Sequence, residues 1–224
     1  MTQFSAAAHA VQFDHLVVLA PTLEAGAQHV SEALGVEPVA GGSHAQMGTH
    51  NQLLNLGRQQ YLEILAPDPR ATTPARPRWF GLDRPEVRER LAQRPFLAHW
   101  VARVHRPKDL ARWHSQYPQR IAPVLPMTRG EFHWNISVPA DGSLPGDGLL
   151  PTLIQWQTPL HPSERLPAAQ VSLRALCGFH AQARQLQDEL AWLGADHLIE
   201  FDETLEPASL MAIFDTPDGQ RVLR

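Results

Sequence analysis

The first apolar pattern along the chain is the run at residues 13–20, FDHLVVLA, whose β-branched and aliphatic residues predict a strand. Thr22 then precedes Leu23, Ala27, Val30 and Leu34 at helical spacing, with Glu24 in the first turn and Gly35 as a stop. Past Gly41 and Gly42, strands are expected at 44–47 and 51–56, closed by Gly57, and at 61–65, running into Pro67. The order is strand, helix, three strands. A Pro- and Arg-rich connection follows from 66 to 94, with one short helix expected at 85–91.

The same order then returns. Residues 96–104 (FLAHWVARV) predict a strand, and Leu110, Trp113 and Tyr117 mark one face of a helix beginning after Pro107. Strands are expected near 123–126, at 131–138 (EFHWNISV) and at 153–157 (LIQWQ), the last ending at Pro159. A third, shorter round comprises a strand at 170–176, a helix marked by Leu186, Leu190 and Leu193 and stopped by Gly194, and strands at 197–201 and 210–214. Repeated supersecondary units pack to bury a shared face. The expected fold is therefore α+β, with two βαβββ modules at 11–67 and 95–160 inside a unit spanning 11–166. Residues 167–224 are expected to form an accessory partial module of the same kind, packed on the rest.

Aligning the first and last strands of the two rounds sets His15 against His99 and Glu63 against Gln155. Two imidazoles and a carboxylate suit Zn, Ni, Mn or Fe(II). Strict alternation would put Phe13, Val17 and Leu19 on the face of His15, and Tyr61 and Leu65 on that of Glu63. On 96–104, Val101 and Arg103 share the face of His99. On 131–138 the apolar set Phe132, Trp134, Ile136 and Val138 is expected to pack on helices, leaving His133 and Asn135 to line a polar surface. His44, His50 and His161 fall in loops or strand ends where ligands are often met, although a loop histidine is more often simply exposed. Arg78, Trp79 and Phe80 read as packed loop, with an aromatic lid as the alternative.

Composition narrows the function. With 43% hydrophobic and 19% charged residues the chain is of ordinary globular type, and its net charge of −4 with scattered Lys and Arg argues against nucleic-acid or anionic-membrane surfaces. Cys177 stands alone, so neither an intramolecular disulfide nor a thiolate zinc cluster is available. Residues 1–12 lack the basic flank and apolar run of a signal peptide, and no apolar stretch approaches the ~20 residues of a membrane span. A cytoplasmic location is the expectation. There is no phosphate loop, nucleophile elbow or HExxH helix.

Four segments carry a specific resemblance: FDHLVVLAPTLEAG, GGSHAQMGTHNQLLNLG with QYLEILAPDP, GLLPTLIQWQTPLHP, and DTPDGQRV. With these the chain resembles the vicinal oxygen chelate superfamily, and within it the glyoxalase-like domain proteins. The resemblance implies tandem βαβββ modules curled into a cup-shaped mixed sheet with a divalent metal (Zn, Ni, Mn or Fe) between them. It implies His15, Glu63, His99 and Gln155 as ligands. His15 and Glu63 are the expected catalytic groups, and strand faces and loop positions make His133, Asn135, Arg103, Tyr61 and His50 the expected substrate contacts. The expected activity is metal-dependent chemistry on a small oxygenated metabolite as lyase, isomerase or dioxygenase, with a homodimer as the assembly to test. The neutral amide of Gln155 cannot serve as a proton-shuttling base, which argues against a true glyoxalase I. The competing expectation is a metal-free protein that binds or sequesters a small molecule.

Overall fold

The computed structural model describes residues 10–224. β1 (Val11–Leu19), α1 (Leu23–Leu34), β2 (Val39–His44), β3 (Thr49–Gly57) and β4 (Gln60–Pro67) form the first round. α1 starts where the Thr22 hydroxyl accepts from the Ala25 N–H and stops at Gly35 in the left-handed region. α2 (Pro85–Gln93) lies in the connection. The second round is β5 (Phe96–Val104), α3 (Leu110–Gln116), β6 (Val124–Arg129), β7 (Phe132–Ser137) and β8 (Thr152–Trp156).

These eight strands form one curved mixed sheet in the order β2-β3-β4-β1-β5-β8-β7-β6. The order 2-3-4-1 mirrors 6-7-8-5, and β1 meets β5 antiparallel at the centre. In each half the first strand runs parallel to the last, β1 with β4 and β5 with β8. The third round supplies β9 (Ser172–His180), α4 (Ala183–Leu193), β10 (Glu200–Glu203), β11 (Ser209–Thr216) and β12 (Gly219–Leu223). It repeats the strand–helix–strands sequence, with its own strand order of β10-β9-β11-β12 in a separate sheet. Trp192 of α4 stacks on Trp113 of α3 at 5.5 Å, fastening this sheet to the convex side.

Three segments differ from their expected form. Gly41 and Gly42, expected to precede the second strand as a turn, lie inside β2. Residues 45–47 make a 3₁₀ turn rather than a strand, because Gly48 at φ 58° turns the chain back and its N–H bonds Ala45 O. The strand expected at 197–201 begins at Glu200, after a 3₁₀ turn at Asp196–Leu198.

The core divides into two layers. Leu16, Val18, Leu62, Ile64, Trp100 and Ala102 pack on the convex side with α1, α3 and the third round. Val17, Leu19, Leu65, Val101, Trp134, Ile136 and Ile154 pack on the concave side against Trp79, Phe80, Leu82, Val87 and Leu91. The connection after β4 thus fills the cup instead of leaving it open. That reverses the expectation for β7, whose apolar set faces into the cup.

Candidate functional site

The register of β1 against β5 creates the site. Phe13 pairs with Ala102 and His15 with Val101, so Asp14 is an extra residue in β1. A bulge of this kind breaks alternation and bends the strand. Phe13 therefore packs on the convex side with Trp100, contrary to the alternation expected from the sequence, while Asp14 and His15 both serve the cup.

His15 and Glu63 meet there. His15 Nδ1 lies 2.6 Å from Asp14 Oδ1, and His15 Nε2 lies 3.6 Å from Glu63 Oε2. The other Glu63 oxygen accepts from Asn51 Nδ2 at 2.5 Å. Asn51 is held in that orientation because its Oδ1 accepts from the Gly42 N–H at 2.8 Å and from Arg129 Nη1 at 3.1 Å. A Cβ on Gly41 would collide with that same amide oxygen, and one on Gly42 would crowd the Arg129 side chain. Tyr61 stacks on the His15 ring at a centroid distance of 4.4 Å, as its place two residues from Glu63 on β4 requires.

Asp14 is fully buried and collects donors: His15, Trp156 Nε1 at 2.9 Å and His161 Nε2 at 3.2 Å, with Arg103 Nη1 3.8 Å away. Burial opposes its ionisation, but the hydrogen bonds from His15 and His161 outweigh it and hold the carboxyl well below the usual carboxylate range. An ionised Asp14 places the proton of a neutral His15 on Nδ1. The Nε2 lone pair then faces Glu63. Burial pushes the Tyr61 phenol well above its ordinary value, assisted by Asp14 and Glu63. His44, also in the cleft, is pushed down to about 4 by burial.

The walls are aromatic. Trp79, Phe80, Trp134 and Trp156 line the cleft with Ile136 and Ile154. Trp79 is pinned by its Nε1 hydrogen bond to Thr49 Oγ1 at 3.2 Å. The space left over is about 20 Å³, room for a water or an ion.

The structure does not bring the remaining expected residues to this point. His99 donates from Nδ1 to Gly148 O at 3.0 Å, and its Nε2 faces Thr152 N at 3.1 Å and Oγ1 at 3.0 Å, which occupies both nitrogens. Gln155 turns to the convex face, where its Nε2 donates to Lys108 O at 2.7 Å and its Oε1 accepts from the Leu110 N–H at 3.1 Å. Its neighbours Ile154 and Trp156 take the cup positions of β8, so the strand-by-strand match of Glu63 with Gln155 is one residue out of phase. His133 is exposed and Asn135 pairs with Gln155, both opposite to Trp134 and Ile136. His50 alternates with Asn51 and points away from the cleft. Arg103 backs Asp14 and donates to Gln59 O at 2.5 Å rather than lining the cleft.

Asp14, Asn51, Trp134 and Trp156 carry roles that the sequence did not disclose, whereas His161 and Trp79 had been noted there without these partners. Adjacent Asp and His on one strand would ordinarily face opposite ways, and only the bulge unites them.

A divalent ion is the superfamily's usual tenant. Among the described residues no three His, Cys, Asp or Glu side chains converge as a ligand group. Two donors do converge: two ligands ~2.1 Å from one ion sit about 3.0–3.4 Å apart, close to the His15–Glu63 separation of 3.6 Å. The residues fit an ion held by two side chains, with its other positions left to water or substrate.

Paired βαβββ units sharing one curved sheet, with a His and a Glu contributed by the first and last strands of one unit, define a vicinal oxygen chelate protein. The chain belongs to the glyoxalase-like domain family, whose model matches residues 13–194. Among solved structures it is similar to a hypothetical protein from Staphylococcus aureus, at a TM-score of 0.55 and 14% identity over 95% of this chain and 84% of that one. Methylmalonyl-CoA epimerase from Mycobacterium tuberculosis aligns at a TM-score of 0.41 and 18% identity, over 68% of this chain and 92% of that one. No curated protein matches the sequence. No helix among the described residues is long and apolar enough to cross a membrane.

Proposed function

We propose that the chain is an enzyme acting on a small oxygenated metabolite, with His15 and Glu63 as the reactive pair and as the side chains that hold a divalent ion. The observation that carries this reading is the pair itself: an imidazole nitrogen and a carboxylate oxygen 3.6 Å apart, both buried in a cleft walled largely by aromatic and aliphatic side chains. When bound, the ion would supply Lewis-acid polarisation of a substrate oxygen. The chain's own groups do the rest. Asp14 fixes the His15 tautomer, Asn51 holds Glu63, and the tryptophan walls exclude water and offer flat faces to a planar substrate. Because the vacant space is so small, substrate entry requires Trp79 and Phe80 to swing aside with their loop.

A second reading is supported by the last strand of the second module, which turns Ile154 and Trp156 into the cleft where the resemblance places a further ligand. With ionised Asp14 on one side and Glu63 on the other, His15 can take a proton instead of a metal and serve in metal-free binding or acid–base chemistry. Elemental analysis of protein grown with Zn, Ni, Mn and Fe separates the two. Bound metal that falls at least tenfold in His15→Ala and Glu63→Gln supports the first reading. A metal-free wild type after supplementation overturns it in favour of the second.

A further inference from the structure

A recess well separated from the cup adjoins the other end of the sheet. Between α2, the start of β5 and the entry to β11 lies a cavity of about 320 Å³, within the size range of small-ligand sites. Its walls come from three separate parts of the chain: Val87 and Arg90 of α2, Phe96 of β5, Leu144 of the loop before β8, and Ala208 and Leu210 at the third round. The lining divides about evenly between apolar residues and polar or charged ones.

Those polar groups are not equivalent. Arg84 is committed to Glu86 at 2.7 Å and to Asp141 at 3.5 Å, and Asp147 to His180 at 3.2 Å. Ser143 donates to Asp141. Arg90 is different: it is half-buried with its guanidinium stacked 3.7 Å over the Phe96 ring, and its side chain forms no hydrogen bond or ion pair with any described residue. Burial pulls its pKa down, and the neighbouring Arg94 adds to that. A planar guanidinium held by stacking, with its N–H groups unspent beside the apolar wall of the cavity, is arranged to receive a carboxylate in its plane.

We infer that this cavity is a second ligand site, separate from the cup, which takes a small monocarboxylate with a short apolar tail. The carboxylate pairs with Arg90, and the tail lies against Val87, Leu144, Ala208 and Leu210. One unpaired cation with Glu86 and Asp147 at the margin favours a monoanion over a phosphate dianion, which both acids would repel. Since the walls belong to the connection, the central sheet and the third round together, a bound ligand would tie these three parts to one another.

Calorimetric titration of the full-length protein with hexanoate tests this, with 1-hexanol and inorganic phosphate as controls. Hexanoate should bind, hexanol at least tenfold more weakly, and phosphate should not displace hexanoate. Arg90→Gln should weaken hexanoate at least tenfold. Ala208→Trp, which keeps the arginine and fills the cavity, should abolish binding, both variants retaining the wild-type circular dichroism spectrum. Absence of hexanoate binding by the wild type, equal binding by either variant, or displacement by phosphate would each overturn the assignment.

Discussion

His99 illustrates how a residue chosen for chemistry turns out to hold the fold, and its titration makes the point measurable. Its ring is fully buried between Gly148 O and Thr152, and burial brings its pKa down from 6.5 to about 3. Above pH 6.5 the ring is neutral in folded and unfolded chains alike, so it contributes its full stability there. As pH falls below 6.5 only the unfolded chain takes up the proton, and the folded state loses about 1.4 kcal/mol per pH unit until pH approaches 3. Between pH 7.5 and 5 that amounts to about 2 kcal/mol from this one residue. His99→Leu removes the titration but orphans Gly148 O and the Thr152 N–H, costing about 2–5 kcal/mol at pH 7.5. At pH 5 the same substitution should cost about 2 kcal/mol less, because the wild type has lost what the variant never had. Urea unfolding of both proteins at the two pH values, followed by circular dichroism, reads the difference directly. A cost that stays constant within about 0.5 kcal/mol would show that His99 is hydrated or charged in the folded protein, and the burial argument would fail.

Gln155→Glu should leave methylglyoxal–glutathione hemithioacetal unconverted, because the new carboxylate lies on the convex face; it should also lower stability by about 2–4 kcal/mol, since it cannot donate to Lys108 O. Hemithioacetal turnover by that variant would place residue 155 in the cup after all. Asp14→Asn leaves one amide oxygen for three donors and should cost about 2–4 kcal/mol at pH 7, seen in the urea midpoint, together with most of the metal bound by the wild type. The Asp14 contribution is present above about pH 4, its unfolded value, and is lost as pH falls toward its lowered folded value, so the variant and wild type should converge in acid.

The doubled βαβββ plan was legible because each strand is a compact apolar run and each helix carries a stop, as Gly35 and Gly194 do. His15 and Glu63 were legible for the same reason: they are the polar breaks in two such runs. Tyr61 followed from simple alternation along β4. What alternation could not supply was the phase of β1 and β5, each carrying a bulge, or of β8, where matching Gln155 to Glu63 ignored that pairing registers differ between the two modules. The inversion of β7 has another origin. Whether Trp134 or His133 faces the cup depends on what fills the cup, and the filling comes from Trp79 and Phe80, more than fifty residues away in a connection with no regular pattern.

The paired register of the two central strands has a consequence for how the site tolerates length changes. The residue numbers of paired positions add to one constant at both ends of β1 and β5, from Val11 with Val104 to Leu19 with Phe96, but to one more across His15–Val17. Asp14 advances one strand and Ala98 advances the other, so the slip opened by the first is closed by the second. The site therefore occupies a short stretch of sheet bounded by two compensating insertions. Deleting Asp14 alone would throw every pair beyond it out of step, whereas deleting Asp14 and Ala98 together would let the sheet close evenly, with the ends still matched and His15 no longer joined to its carboxylate partner. In that sense His15 is placed by counting residues as much as by chemistry.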